Sequence, residues 1–499
     1  MNVRPGSGSE RAGRLASAQD PHRASRLAAT AALGSVALLF AGLGLFLVYR
    51  GAGLAPGGEP GRAFQPTPNP PTRAPEAPMA ASVGTAPPIR RQVSDAQATP
   101  TAPDGTPVLD VAEPTPRPAG PAPGETPIIA PPPIPTRPAS SPEDQPVRDA
   151  MAALASDEAR VGQLLMLGWA GNTAEQARQT LRELQPGGIV FVDNTRSSAE
   201  AAAINAALPR IAAEYGVLVP LIAVDHEGGL VQRIADVPNL GSNLDFGSRR
   251  PTDAEACARG SSHAQQLRAM RFSMNLAPVL DVNNNPNNPV IGSRSFGPDP
   301  ELVARLGSAY VRGLQSGGIV AVGKHFPGHG NTSVDSHLQL PVLPQTEAEL
   351  EDVELVPFRR VALPGTDIAA IMSAHIVFPA VDPSRAPATL SAPIMTGLLR
   401  EKLGFQGLVL SDDLAGMKAI TDNFPPGEAA VRAVRAGVDM LIVAGGIARQ
   451  RESRDAILAA LEAGELSRDR VDEAVRHVLT VKARFGLIGG PASTGAGCP

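Results

Sequence analysis

Three blocks of this sequence concentrate groups that can move protons or hold charge. Asp225-His226-Glu227-Gly228-Gly229 runs on into Leu230-Val231-Gln232-Arg233. Lys324-His325-Phe326-Pro327-Gly328-His329-Gly330 is followed by Asn331-Thr332-Ser333-Val334-Asp335-Ser336-His337, and Asp412-Asp413 ends a third apolar run. Between the blocks stand Asp281, the segment Ile291-Gly292-Ser293-Arg294-Ser295-Phe296, and His375. Five of the eight histidines fall in these places, a concentration that points to chemistry. Asp335 and His337 are one residue apart, so the carboxylate can orient the imidazole and raise its basicity. Asp412 and Asp413 are adjacent and on a strand point to opposite faces. One can then act as a nucleophile while the other takes a structural role. Lys324 at a buried strand end needs an acid or a ligand beside it. Asp225 opens a Gly-Gly turn, where capping the backbone is its alternative role. His325 and His329 are four apart, but the Phe-Pro-Gly between them forbids the helix that would align them as a metal pair. Gly328 and Gly330 are expected to let the following polar loop bend. No metal and no cofactor are expected.

These blocks each follow a short, nearly continuous apolar run, as strands buried on both faces do. The runs are LLMLGW, GGIVFV, PLIAVD, FSMNLAPVLDV, GIVAVG, DIAAIMSAH, GLVLSD and VDMLIVAG. Amphipathic segments separate them: Ala174–Leu184, Ser198–Tyr215, Asp253–Met270, Glu301–Gly317, Glu347–Val361, Ala392–Leu403 and Gly427–Gly437. Ile447–Gly464 and Ser467–Phe485 follow the last run. The alternation predicts an α/β chain folded as a (β/α)8 TIM-like barrel, with the chemistry at the C-terminal strand ends. A doubly wound open sheet is the alternative, but no glycine-rich dinucleotide fingerprint follows the first strand.

VDHEGGLVQR, IGSRSFG, KHFPGHGNTSVDSH and LVLSDDLAGM together resemble the glycoside hydrolase family 3 β-N-acetylglucosaminidases of the NagZ type. The resemblance spans the barrel, roughly Asp144 to Leu487. It implies a retaining mechanism with Asp412 as nucleophile, His337 as acid/base on a flexible loop, and Asp335 as the partner of that histidine. It also implies that Asp225, Arg233, Arg294, Lys324 and His325 hold the sugar hydroxyls and the acetamido group. Leu230 stands where the family often has a basic residue, which implies looser selection at the aglycone side. SDDLAGM carries one more residue before the methionine than the commoner spacing, so the loop after Asp412 is expected to differ. A carboxylate and a second proton-carrying group suffice for retaining glycoside hydrolysis. An imidazole with a pKa near 6.5 suits both proton transfers. Should His337 prove only a binding residue, Glu227 is the reserve candidate for the acid. The implied function is removal of terminal GlcNAc from peptidoglycan fragments, with a GlcNAc-containing glycan or muropeptide as partner and a monomeric barrel. The alternatives are a family 3 β-glucosidase or β-xylosidase, and a catalytically inactive cell-wall-binding barrel.

Composition bounds the rest. Of 499 residues 50 are Gly and 51 Pro, and roughly half of the prolines fall between Pro56 and Pro146. That tract, 50–143, has too few large apolar residues to offset the entropy of ordering, and reads as a disordered, proline-stiffened stalk. Before it, 27–49 carries no charge and is long enough to span a bilayer. Arg4, Arg11, Arg14, Arg23 and Arg26 precede it, which places residues 1–26 in the cytoplasm and the barrel outside. The expected location is therefore a single-pass cell-membrane anchor in the lipid bilayer; secretion after cleavage is the alternative. The globular part is placed at 144–488 with a tail at 489–499. A net charge of −5 gives no basic field, and nucleic acid is excluded as the main partner. Two cysteines, Cys257 and Cys498, exclude a disulfide scaffold and leave their own pairing open.

Overall fold

The structure is a computed structural model that describes residues 144–169, 171, 173–192, 197–492 and 497–498. The expected anchor at 27–49 and stalk at 50–143 lie outside the described residues. Among the described residues no helix is long and apolar enough to cross a membrane.

All eight apolar runs form parallel strands: β1 Leu165–Trp169, β2 Gly188–Phe191, β3 Leu221–Val224, β4 Met274–Asn275, β5 Val320–Phe326, β6 Ala370–Ser373, β7 Leu408–Leu410 and β8 Leu441–Val443. Each pairs with its neighbour in chain order, and β8 returns to β1 through the register Leu165–Leu441. A parallel bridge between Leu410 and Met440 joins β7 to the start of β8, so the sheet curls into a nearly closed barrel. FSMNLAPVLDV forms only a two-residue strand before Pro278, which has no N–H for the ladder. Beyond it the chain still tracks β5, with the Leu280 amide donating to the Lys324 carbonyl and Val279 bridged to Lys324.

Period-two alternation sorts the strand side chains into two cores. Met166, Val190, Leu221, Met274, Val320, Met372, Leu408 and Ile442 fill the barrel interior. Their neighbours Leu165, Leu167, Ile189, Phe191, Val224, Ala321, Ile371 and Val443 pack outward in the larger core shared with the helices. Several of those helices start on capping boxes, Thr173 with Gln176, Ser197 with Glu200 and Thr252 with Glu255, which satisfy amides of the first turn. The expected helix Glu347–Val361 is instead two, Glu347–Asp352 and Leu355–Ala362. Pro357 explains the break, because in a continuous helix its ring would meet the Val353 carbonyl and its nitrogen could not donate to it.

The last helix, Arg468–Arg484, sends Val478 and Val481 into the interior core, joined by Phe485 just beyond it. Phe485 lies with Ser273 and Gly318, which precede β4 and β5, so this segment stops the N-terminal end of the barrel. Its Lys482 is fully buried and donates to Gln163 Oε1 at 2.7 Å. Near the same end, the buried Asp439 carboxylate receives Arg400, Arg470 and His477 together with the Val409 amide. The pairing left open by the sequence is made: Cys257, in helix Asp253–Ala269, is disulfide-bonded to Cys498.

Candidate active site

The C-terminal strand ends surround a cleft of roughly 300 Å³. Asp225, Arg233, Arg294, Lys324, His325, His337 and Asp412 all line it, and Asp335 touches it through His337. Residues from four stretches of sequence thus meet in one place.

After β3 the chain turns into a small antiparallel hairpin, His226–Gly228 with Val231–Gln232. Asp225 at its start and Glu227 within it are separated by burial. The Glu227 side chain has no exposed surface, while that of Asp225 is 22 % exposed. Lys324 Nζ sits between the two, 2.7 Å from each. Arg294 closes on Glu227 in a bidentate pair, at 2.9 and 2.8 Å. Burial alone would push the Glu227 carboxyl up, but Arg294 and Lys324 hold it well below the usual range. Glu227 is therefore a fixed anion that orients two cations. Its place as reserve acid is corrected, because a carboxylate bound this way has no proton to give. Arg233 stands 3.6 Å from the other oxygen of Asp225.

Behind the second block lies a carboxylate whose role is not readable from the sequence. Asp281, fully buried, accepts from the amides of His325 and His329 at 3.1 and 2.7 Å, and its Oδ2 is 2.7 Å from His325 Nδ1. Burial works against ionisation, but the His325 side chain beside it keeps Asp281 below its ordinary value. This fixes the His325 ring and leaves its Nε2 without a partner among the described residues, in the cleft wall. His329 is engaged at both nitrogens, by Ser336 Oγ at 2.9 Å and Thr332 Oγ1 at 3.0 Å. Its burial, and the neighbouring His325, push it down to about 4. Gly330 is needed for close approach: a Cβ there would lie 1.7 Å from the Val282 carbonyl oxygen. That packing, beyond the bend expected from the sequence, brings the polar loop onto the barrel.

On that loop His337 Nδ1 and its amide both meet Asp335 Oδ1 at 2.8 Å. The His337 side chain is 60 % exposed, and its Nε2 has no hydrogen-bond partner among the described residues. Burial disfavours the Asp335 anion, yet the His337 amide and ring hold its pKa down. Asp412, half-buried in the same cleft, has its pKa raised by desolvation, but the His325 and His375 side chains and the Asp413 amide lower it below the ordinary value. Asp413 differs: its Oδ1 accepts from the Ala415 and Ala444 amides at 2.9 Å, and burial pushes its pKa up. One member of the pair is therefore an available anion and the other is tied to backbone. His375, also at a strand end, is 2.9 Å from Thr389 Oγ1 and 3.2 Å from the Asp413 carbonyl, which it buttresses. The cleft thus holds an available carboxylate, a carboxylate-oriented imidazole and the cations Arg233, Arg294 and Lys324.

Comparison with known proteins agrees with this architecture. Residues 157–481 match the glycosyl hydrolase family 3 N terminal domain. A Pseudoalteromonas piscicida protein named beta-hexosaminidase A is 34 % identical over 320 residues, 60 % of this chain and 53 % of that protein. This chain therefore spans about half the length of that relative. A beta-hexosaminidase of Alkalilimnicola ehrlichii is 38 % identical over 289 residues, covering 56 % of this chain and 80 % of that one. Among solved structures, a family 3 beta-N-acetylglucosaminidase from Paenibacillus sp. superposes with a TM-score of 0.64 at 43 % identity, covering 68 % of this chain and 65 % of that one.

Proposed function

The chain belongs to glycosyl hydrolase family 3, and from that membership we propose that it is a retaining, exo-acting β-N-acetylglucosaminidase that removes terminal GlcNAc from peptidoglycan fragments. The observation that carries the reading is that Asp412 and the Asp335-held His337 line one cleft. In the first half-reaction an Asp412 oxygen attacks the anomeric carbon. The bond to the leaving oxygen breaks, and that oxygen takes the proton of His337 Nε2. A glycosyl-enzyme on Asp412 results. In the second half-reaction the neutral imidazole accepts a proton from water as the water displaces Asp412. Asp335, held at Nδ1, stabilises the imidazolium each time it forms. Asp225, Arg233, Arg294, Lys324 and His325 hold the hydroxyls and acetamido group, with Glu227 and Asp281 fixing their orientation. Two beta-hexosaminidase relatives and a beta-N-acetylglucosaminidase of like fold support the sugar assignment. The barrel acts outside a membrane, anchored through 27–49; the Cys257–Cys498 bond suits an oxidising compartment.

The test compares aryl glycosides of GlcNAc, glucose and xylose on wild type and on His337→Ala. GlcNAc should be turned over fastest. The variant should keep its attack on an activated dinitrophenyl glycoside, stall as glycosyl-enzyme, and yield a β-glycosyl azide when azide is added. Faster glucoside or xyloside turnover would assign a different family 3 activity, and binding without turnover would mark an inactive wall-binding barrel.

A further inference from the structure

The loop that carries Asp335 and His337 is held from below at two points by one side chain. His329 belongs to the barrel: its amide is bonded to Asp281, and its carbonyl accepts from Asn288 Nδ2 at 2.8 Å. From there its ring reaches Thr332 Oγ1 at one edge and Ser336 Oγ at the other. Thr332 and Ser336 bracket the loop, and both are buried, at 0 % and 2 % exposure. Ser336 sits between Asp335 and His337. With its side chain drawn inward to His329, its two neighbours are left free to meet each other at the cleft. On the other side the Ser336 and His337 carbonyls accept from the amides of Ala419 and Lys418, at 3.3 and 3.2 Å. Those amides belong to the segment that follows Asp412. Asn285 and Asn288 add side-chain bonds to the Thr332 carbonyl and to Thr332 Oγ1.

We propose that His329 is a positioning residue that latches the acid/base loop in place, acting through Ser336 and Thr332 rather than on the substrate. A neutral ring has one N–H and one lone pair, and two hydroxyls, each able to donate or accept, match that set in either tautomer. The pKa near 4 keeps the ring in that neutral form at neutral pH. The latch rests on the reading of His337 as acid/base given above. It adds that His337 reaches the glycosidic oxygen only while Ser336 is bonded to His329.

Loss of the latch should act as a partial loss of the acid, which distinguishes it from general loosening of the fold. The experiment measures kcat/KM, which reports the first bond-breaking step, on GlcNAc glycosides with a dinitrophenyl and with a methylumbelliferyl leaving group. Wild type, His337→Ala, Ser336→Ala, Ser336→Thr and His329→Asn are compared, with thermal melts run alongside. Ser336→Ala should lose at least ten-fold more on the methylumbelliferyl substrate, which needs the acid, than on the dinitrophenyl one. Ser336→Thr, which keeps the hydroxyl, should recover most of that difference. His329→Asn should show the same split as Ser336→Ala, and should it fail to fold, the two Ser336 variants decide alone. Equal losses on both substrates, or none, in Ser336→Ala would overturn the latch while leaving His337 as acid if His337→Ala still shows the split. Absence of the split in His337→Ala would overturn the underlying reading and the latch with it.

Discussion

Lys482 offers a stability measurement with a sign and a size. Its ammonium is fully buried with one polar partner, Gln163 Oε1 at 2.7 Å, and burial pushes it down to about 7 from an ordinary 10.5. Between these two values the unfolded chain holds the proton more tightly than the folded one. Stability must therefore rise with pH from about 7 to about 10, the reverse of a lysine that gains an acid partner on folding. At pH 7 the folded group is about half protonated, so the shift costs about 4 kcal/mol of folding free energy at most. Lys482→Met keeps the volume and removes that cost. It leaves Gln163 Oε1 without its donor, a loss of about 1–3 kcal/mol. The net expectation is that Lys482→Met is more stable than wild type by about 1–3 kcal/mol at pH 7. The advantage should shrink as pH rises and be gone near pH 10. Urea unfolding of both proteins at half-unit steps from pH 6.5 to 10 reads this directly. A difference between the two proteins that does not change with pH would refute the reasoning, as would a variant several kcal/mol less stable at pH 7.

The remaining expectations are shorter. Asp412→Asn should lower turnover by three or more orders of magnitude with an unchanged melt, and a slow 5-fluoro glycoside should label a peptide at Asp412; a label on Asp413 or Asp225 would reassign the nucleophile. Asp439→Ala should destabilise the fold by about 3–5 kcal/mol, since it strands Arg400 and Arg470 at the end of the barrel away from the cleft. Chemical denaturation checks the loss, and activity per folded molecule should not change. Reduction of the Cys257–Cys498 bond should lower the melting temperature without altering KM; the sequence separation of 241 residues sets an upper bound of about 5.5 kcal/mol on the chain-entropy account. A melt that does not move on full reduction would show that the bond contributes nothing to stability.

The barrel was legible because each strand comes from a short apolar run, eight such runs alternate with helices, and no glycine-rich fingerprint favours an open sheet. The residues at the strand ends were legible for the same reason, since strand-end position in a barrel fixes which side chains share a cleft. Roles that depend on burial were not. Glu227 reads in sequence as a spare carboxyl, and only the approach of Lys324 from another strand end and of Arg294 from the turn Gly292–Arg294 turns it into a fixed anion. Asp281 lies more than forty residues before the two histidine amides that it holds. His329, set aside in the sequence as a metal ligand, had no other role legible there, because spacing along the chain says nothing about Ser336 folding back onto it. The break before Pro357 is masked in the sequence because the apolar spacing continues across it. The cysteine pairing joins positions that share no local pattern.

The pairing of β1 with β8 has a consequence for how the molecule is made. Leu165 finds its neighbour Leu441 only after the whole barrel sequence has been synthesised, and the residues that stop the barrel floor come later still, at Val478 to Phe485. At about 5–20 residues per second, the first strand waits on the order of 15–50 s beside a growing chain whose apolar interior has no lid. During that interval Met166, Val190 and Leu221 face water or whatever holds the nascent chain. A polypeptide whose barrel closes only through its last strand and last helix cannot complete its core until nearly all of that sequence has been made.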